Sequence, residues 1–269
     1  MRQDGVSRPS QFIQEQQMKK ALISALVTIS AALPALAMAQ GTPTDWAMSG
    51  NVSLVSDYKF RSISQTYGLP AIQGGFDLGH AAGFYVGTWA SNVSGNQFIG
   101  GAGMEWDFYG GYRMELTRNT QLDLGFIYYY FPGSKSLPID GMRRYDTTEV
   151  YAAVTWGGLT GKINYAISDS FGLLDSSGSY YAALDYVYPW RRTTNFIAHV
   201  GKASFKNFAA LDYTDYKLGV TTEALGVTWG LSYIGNNADD KVWEFRNQSD
   251  GVLKSVSKDS LVFSVGKTF

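Results

Sequence analysis

The chain has 269 residues, no cysteine, 30 glycines, 7 prolines and a formal net charge of −1. Without cysteine there is no disulfide framework and no thiolate metal site, and two histidines leave little for zinc. The charge balance is not that of a nucleic-acid binder, and a mean hydropathy of −0.13 does not fit a bundle of membrane helices.

The N-terminal part reads as targeting. "MKKALISALVTISAALPALAMAQ" starts at Met18 with two lysines, runs apolar from Ala21 to Leu33, breaks at Pro34 and offers Ala37-Met38-Ala39 before Gln40. This grammar predicts a secretory signal peptide over 18–39. The polar residues 1–17 precede it and read as an upstream start artefact, with Met18 the preferred initiator. The remainder, 40–269, then carries 18 bases against 21 acids, a net charge of −3, and is expected to form one domain.

From Trp46 onwards apolar and polar residues alternate. Trp46, Met48, Val52, Leu54, Tyr58 and Phe60 share one parity; Ser49, Asn51, Ser53, Asp57, Lys59 and Arg61 share the other. The period of two predicts strands. Similar segments lie near 71–80, 83–93, 104–116, 121–131, 146–156, 159–168, 179–189, 194–203, 215–224, 227–235 and 260–269. The count is about twelve, most roughly ten residues long, as membrane-crossing strands are.

The links between them alternate in length. Long links such as "SISQTYGLP" and "FPGSKSLPIDGMRR" take turns with short ones such as "HAAG", "TRNT" and "EALG". An up-and-down antiparallel barrel with tight periplasmic turns and long extracellular loops produces this rhythm. A two-sheet sandwich has no reason to segregate its loops so regularly. In "MEWDFYGGYRMEL", Trp106, Phe108 and Met114 would then meet lipid, while Glu105, Asp107 and Arg113 would face the interior.

The residues also resemble a family, the TorF-type outer-membrane porins, over essentially the whole mature chain. The likeness rests on Tyr58-Lys59-Phe60-Arg61-Ser62-Ile63-Ser64-Gln65-Thr66 and on Pro70-Ala71-Ile72-Gln73-Gly74-Gly75-Phe76-Asp77. It continues through Gly83-Phe84-Tyr85-Val86-Gly87-Thr88-Trp89, Ser91-Asn92 and Glu105-Trp106-Asp107-Phe108-Tyr109-Gly110-Gly111-Tyr112. The family usually has glycine where this chain has Ser62, so the backbone is expected to turn differently there. The resemblance implies a signal-bearing outer-membrane barrel with a transport role and brings no substrate with it.

Parity places Lys59, Arg61, Glu105, Asp107, Arg113, Asp123, Glu149 and Lys162 inside, as a pore wall or as a paired plug; both readings use the same residues. Trp46, Trp156, Trp190 and Phe269 fall near the short-turn end as an interfacial aromatic girdle. Tyr58, Phe60, Tyr130 and Phe131 fall near the other rim. The ending "LVFSVGKTF" resembles the signal read by the barrel-insertion machinery. Twelve strands give a radius of roughly 12 Å and an opening of at most about 10 Å, provided no loop folds inward.

Three other motifs lead to weaker readings. His80 and His199 could each be a general base of a barrel hydrolase, but no Ser or Asp is specified by spacing, and ordinary turn and strand roles account for both. "GGAGMEWDFYGG" is followed by a strand, so it is no phosphate loop. Asp239-Asp240 matches no calcium-loop spacing. The reading is therefore a non-enzymatic channel for small polar solutes, without cofactor or metal and with its oligomeric state open. The alternatives are a plugged structural or adhesive barrel and, further off, a barrel hydrolase.

Overall fold

The computed structural model describes residues 45–98, 100–135 and 144–269. The expectations for 1–17 and 18–39 lie outside these residues. Twelve long strands follow one another: β1 Trp46–Val55, β2 Ala71–His80, β3 Phe84–Asn92, β4 Met104–Thr117, β5 Thr120–Tyr130 and β6 Thr147–Trp156. They continue as β7 Leu159–Ala166, β8 Tyr180–Arg191, β9 Thr194–Ser204, β10 Tyr213–Ala224, β11 Val227–Asn236 and β12 Ser260–Thr268. Each pairs antiparallel with the next, and β12 pairs with β1, Asn51 opposite Thr268, closing the barrel. The register accumulated around the sheet corresponds to strands tilted by about 45° and a backbone radius of about 12 Å.

The alternation decides the two surfaces. Met48, Phe76, Phe126, Leu184, Leu218 and Leu261 are exposed on the outside, while Ser49, Asp77, Glu149 and Asp215 are buried within. Tight turns hold one end. Between Ala224 and Val227, paired across the turn, Leu225 and Gly226 have φ of 58° and 75°. Two successive positive φ values match the twist of the flanking strands. Register shifts at Glu115/Thr117 and Pro189/Arg191 loosen this same end.

The first strand is shorter than its pattern. It stops at Val55, and residues 56–70 turn into the barrel as a small hairpin in which Lys59–Phe60 pairs with Ile63–Ser64. The Asp57 carboxylate knots the loop, accepting from the Ser64 hydroxyl at 2.5 Å and the Thr66 hydroxyl at 3.1 Å. Tyr58, Phe60, Ile63 and Tyr67 are too apolar for an exposed loop; burying Phe60 or Ile63 stabilises by about 1.5–3 kcal/mol each. The interior core consequently lies on both sides of this hairpin. Phe60 meets Tyr129 and Phe171 at ring distances of 5.5 and 5.6 Å on one side. Ile63 and Tyr67 cluster with Tyr181 and Tyr213 on the other.

Candidate functional site

The structure places Glu105, Asp107 and Arg113 on the inner face of β4, Asp123 on β5, Glu149 on β6 and Lys162 on β7. Lys59 and Arg61 are also inside, but on the inturned hairpin and not on the wall. Tyr58 and Phe60 come in with them, and Phe131 is buried too, so these three rings leave the rim where the sequence put them. Strand parity failed for Tyr58 and Phe60 because the strand itself had ended, whereas Phe131 keeps the inner parity of Ile127 and Tyr129. Tyr130 stays on the outer face, stacked on Tyr128 at 6.2 Å.

Three polar clusters form. In the first, Arg113 and Asp123 sit directly opposite on β4 and β5, with Nε 2.9 Å from Oδ2. Tyr85 donates to Asp123 at 2.6 Å, and the Arg113 guanidinium lies 4.1 Å from the Tyr85 ring. The Tyr85 and Tyr151 hydroxyls touch, and Lys162 lies 4.1 Å from the Tyr151 ring. This cluster is part-buried, with exposures of 19% and 15% for the ion pair.

The second cluster gathers at the hairpin tip. The guanidinium of Arg61 donates to Glu149 Oε2 at 2.6 Å and lies over the rings of Phe60 and Tyr181, 4.7 and 4.5 Å from their centres. Asn164 and Tyr129 also donate to Glu149, at 3.0 and 3.3 Å. Arg61 and Ser62 both occupy the left-handed region, at φ 47° and 66°, which disfavours residues other than glycine. Ser62 offsets this with a hydroxyl bond to Asp215 Oδ2 at 2.9 Å, a bond that glycine could not make.

In the third cluster Asp215 also receives the Tyr181 hydroxyl at 3.0 Å. His199 bridges the two acids, with Nδ1 2.7 Å from Asp185 and Nε2 3.4 Å from Asp215. Its Nε2 is also 2.9 Å from the Tyr181 hydroxyl, so both ring nitrogens are engaged, and the nearby Ser62 hydroxyl is turned to Asp215. His80 stacks edge-on to Trp46 at 4.6 Å and accepts from the Ala82 amide. Sequence reasoning overlooked Asp77, Asp185, Asp215 and Lys217 as interior charges, although the parity rule applied to their strands would have found them. It could not have found Ser62, whose role depends on the infolded loop.

The hairpin is covered in turn by the last long loop. Lys59 Nζ donates to the Lys258 carbonyl at 2.7 Å, Lys254 Nζ to the Tyr67 carbonyl at 2.8 Å, and Tyr67 to the Phe245 carbonyl at 3.1 Å. Gln248 ties this loop to the Gly95 carbonyl at 2.7 Å. Asp240 accepts from Lys258, and from Ser257 and Ser255 at 2.7 and 2.8 Å; these bonds hold its carboxyl down to about 2. At the short-turn end, by contrast, the inward-facing Glu115, Gln121 and Glu223 are exposed.

On the outside, Trp46, Trp156, Trp190 and Phe269 are exposed by 51%, 66%, 50% and 67%. The three tryptophans stand at strand ends beside the tight turns. Phe269 lies over Gly50 and exchanges backbone hydrogen bonds with it at 2.8 and 2.9 Å.

A family model described as a bacterial protein of unknown function (Gcw_chp) matches residues 39–269. The chain belongs to this family. No curated protein matches this Gcw_chp chain. Among solved structures it is similar to the NanC porin, at 12% identity and a TM-score of 0.46, over 82% of this chain and 98% of that one. It is also similar to OccAB2 of Acinetobacter baumannii, at 9% identity and a TM-score of 0.40, over 84% and 65%. A third likeness is to OccD3 (OpdP) of Pseudomonas aeruginosa, at 11% and 0.38, over 86% and 61%. These likenesses are remote, and the architecture of the Gcw_chp barrel rests on its own strand pairing.

Proposed function

We propose that the protein is a bacterial outer-membrane channel for passive diffusion of small polar solutes, with the 56–70 hairpin as its constriction. One observation carries this reading: a closed barrel turns apolar side chains outward and charged and hydroxylated ones inward. Water is not an adequate solvent for that exterior, whereas acyl chains are. The signal-like segment 18–39 and the TorF-type resemblance support the location, and the resemblance supports the transport role. Within this reading, Trp46, Trp156, Trp190 and Phe269 form the interfacial girdle, and the interior charges line the path or guard its entrance. β12, Ser260–Thr268, addresses the insertion machinery.

A second reading, a plugged structural or adhesive barrel, is favoured by the aromatic burial on both faces of the hairpin. Planar-bilayer recording of the purified protein separates the two. The channel reading expects discrete conductance steps; their absence from the wild type and from a hairpin-shortened variant alike would leave the plugged barrel. Recovery in the soluble periplasm, with no heat-dependent gel shift, would remove both.

A further inference from the structure

Beside the Arg61–Glu149 pair lie two more carboxylates, Glu105 and Asp107, on the inner face of β4. Each is 2% exposed. Neither Glu105 Oε2 nor Asp107 Oδ1 has a hydrogen-bond partner among the described residues, and the Tyr58 hydroxyl lies beside Glu105, in electrostatic reach of both acids. Rings wall the pair. Asp107 is directly opposite Trp89 on β3 and Tyr129 on β5. Tyr58 stands edge-on to Trp89 at 5.4 Å. Buried carboxylates without a counter-charge are costly. Among the described residues the only base in ion-pair contact with these three acids is Arg61, and it hydrogen-bonds Glu149. Lys59, the other base of the hairpin, is turned away to the Lys258 carbonyl.

We propose that Glu105 and Asp107, with Tyr58 and Trp89, form a seat for the guanidinium group of a small solute. Arg61 next door shows the arrangement with the protein's own side chain: a carboxylate hydrogen-bonded to the cation and two aromatic rings within cation–π distance of it. A planar, delocalised cation is more weakly hydrated than an ammonium and matches the fork of a carboxylate. The ring faces add cation–π attraction. The seat's part in transport rests on the channel reading above, whereas binding does not.

Calorimetric titration of the detergent-solubilised full barrel with methylguanidinium chloride tests the seat. Calcium chloride, tetramethylammonium chloride and the neutral isostere methylurea are titrated in parallel at constant ionic strength. One saturable site for methylguanidinium is expected and none for methylurea. The Glu105→Gln/Asp107→Asn variant should lose affinity by about tenfold or more. Its heat-dependent gel shift reports folding, and Asp107→Asn alone serves if the double variant does not fold. Tyr58→Phe and Trp89→Leu should weaken binding by smaller factors. Absent saturable binding to the wild type, equal binding of methylurea, tighter binding of calcium or tetramethylammonium, or undiminished binding to the carboxamide variant would each overturn the proposal. A barrel that binds methylguanidinium but never conducts would keep the seat and lose the channel; one that conducts without binding would do the reverse.

Discussion

The two ends of this barrel interior are built from similar residues and behave as different materials. At the short-turn end the inward-facing Glu115, Gln121 and Glu223 are open to water. At the long-loop end Glu105, Asp107, Glu149 and Asp215 are at most 2% exposed. The difference does not come from the wall, since parity sets acids inward along its whole length. It comes from one hairpin, which fills the mouth with rings and brings Arg61 and Ser62 to acids on β6 and β10. A polar lumen is therefore wet or dry according to what enters it, and the same ion pair has a different worth at each end.

The largest effect should follow from removing the plug. Replacing residues 57–67 with a short Gly/Ser linker should raise single-channel conductance by about tenfold or more, because the opening then approaches the wall-limited width of a twelve-stranded barrel. An unchanged conductance would mean that the hairpin is not the constriction and would end the contrast between the two ends.

Ion pairs sharpen it. Arg61→Ala leaves Glu149 buried without its charge partner and should cost about 3 kcal/mol in urea unfolding from lipid vesicles. Arg113→Ala removes a more exposed pair at mid-barrel and should cost about 1 kcal/mol. Equal costs would show that water reaches both regions alike.

The exterior supplies a scale for these numbers. Phe126→Arg, on the outer face of β5, should destabilise by about 2–4 kcal/mol at mid-membrane, read by the same unfolding assay. Gln121→Lys, on the inner face near the tight turns, should stay within about 0.5 kcal/mol. Gly125 faces inward too but is no neutral control. A Cβ there would come within 2.5 Å of the Tyr151 hydroxyl oxygen and 2.6 Å of the Gly110 carbonyl oxygen, so Gly125→Ser should also destabilise.

Opening the mouth should expose its acids to the permeating ions. The hairpin-shortened barrel should prefer cations, and converting Glu105, Asp107 and Glu149 to their amides should move its reversal potential towards anions. The shift should fade as the Debye length drops from about 10 Å at 0.1 M to about 3 Å at 1 M. In the intact protein the same changes should alter selectivity less, because Glu149 is already paired with Arg61.

The smallest expected effect concerns the cover. Hydrogen bonding from Lys258, Ser257 and Ser255 holds the Asp240 carboxyl at about 2, below its ordinary 3.8. A depressed carboxylate contributes stability above its ordinary value and loses it as pH falls through the folded value. Pepsin cleavage within loop 237–259 should therefore be slower than in Asp240→Asn near pH 4, with the difference much reduced at pH 2 and gone near pH 1. A difference independent of pH would remove the ionised carboxylate as the anchor.

Much of this was legible before any coordinates. Each of the twelve segments corresponds to a strand, because a period of two with one apolar face is a local property of the chain. The rhythm of long and short links gave the meander, since tight turns and loops must fall at opposite ends. Pairing was not legible. That Arg113 faces Asp123 depends on register, which two strands settle between them. Tyr58 and Phe60 were placed outside because the alternation continues past Val55, although the strand does not.

By itself, then, the sequence determined the barrel: strand number, order, inner and outer faces, and the tight-turn end. Tertiary structure alone decided whether the lumen is open, because the fate of residues 56–70 turns on contacts made across the barrel. Arg61 reaches Glu149 88 residues away, and Ser62 reaches Asp215 153 residues away. Alternation along a strand records which solvent each side chain meets, and it carries no trace of a loop that supplies that solvent from within.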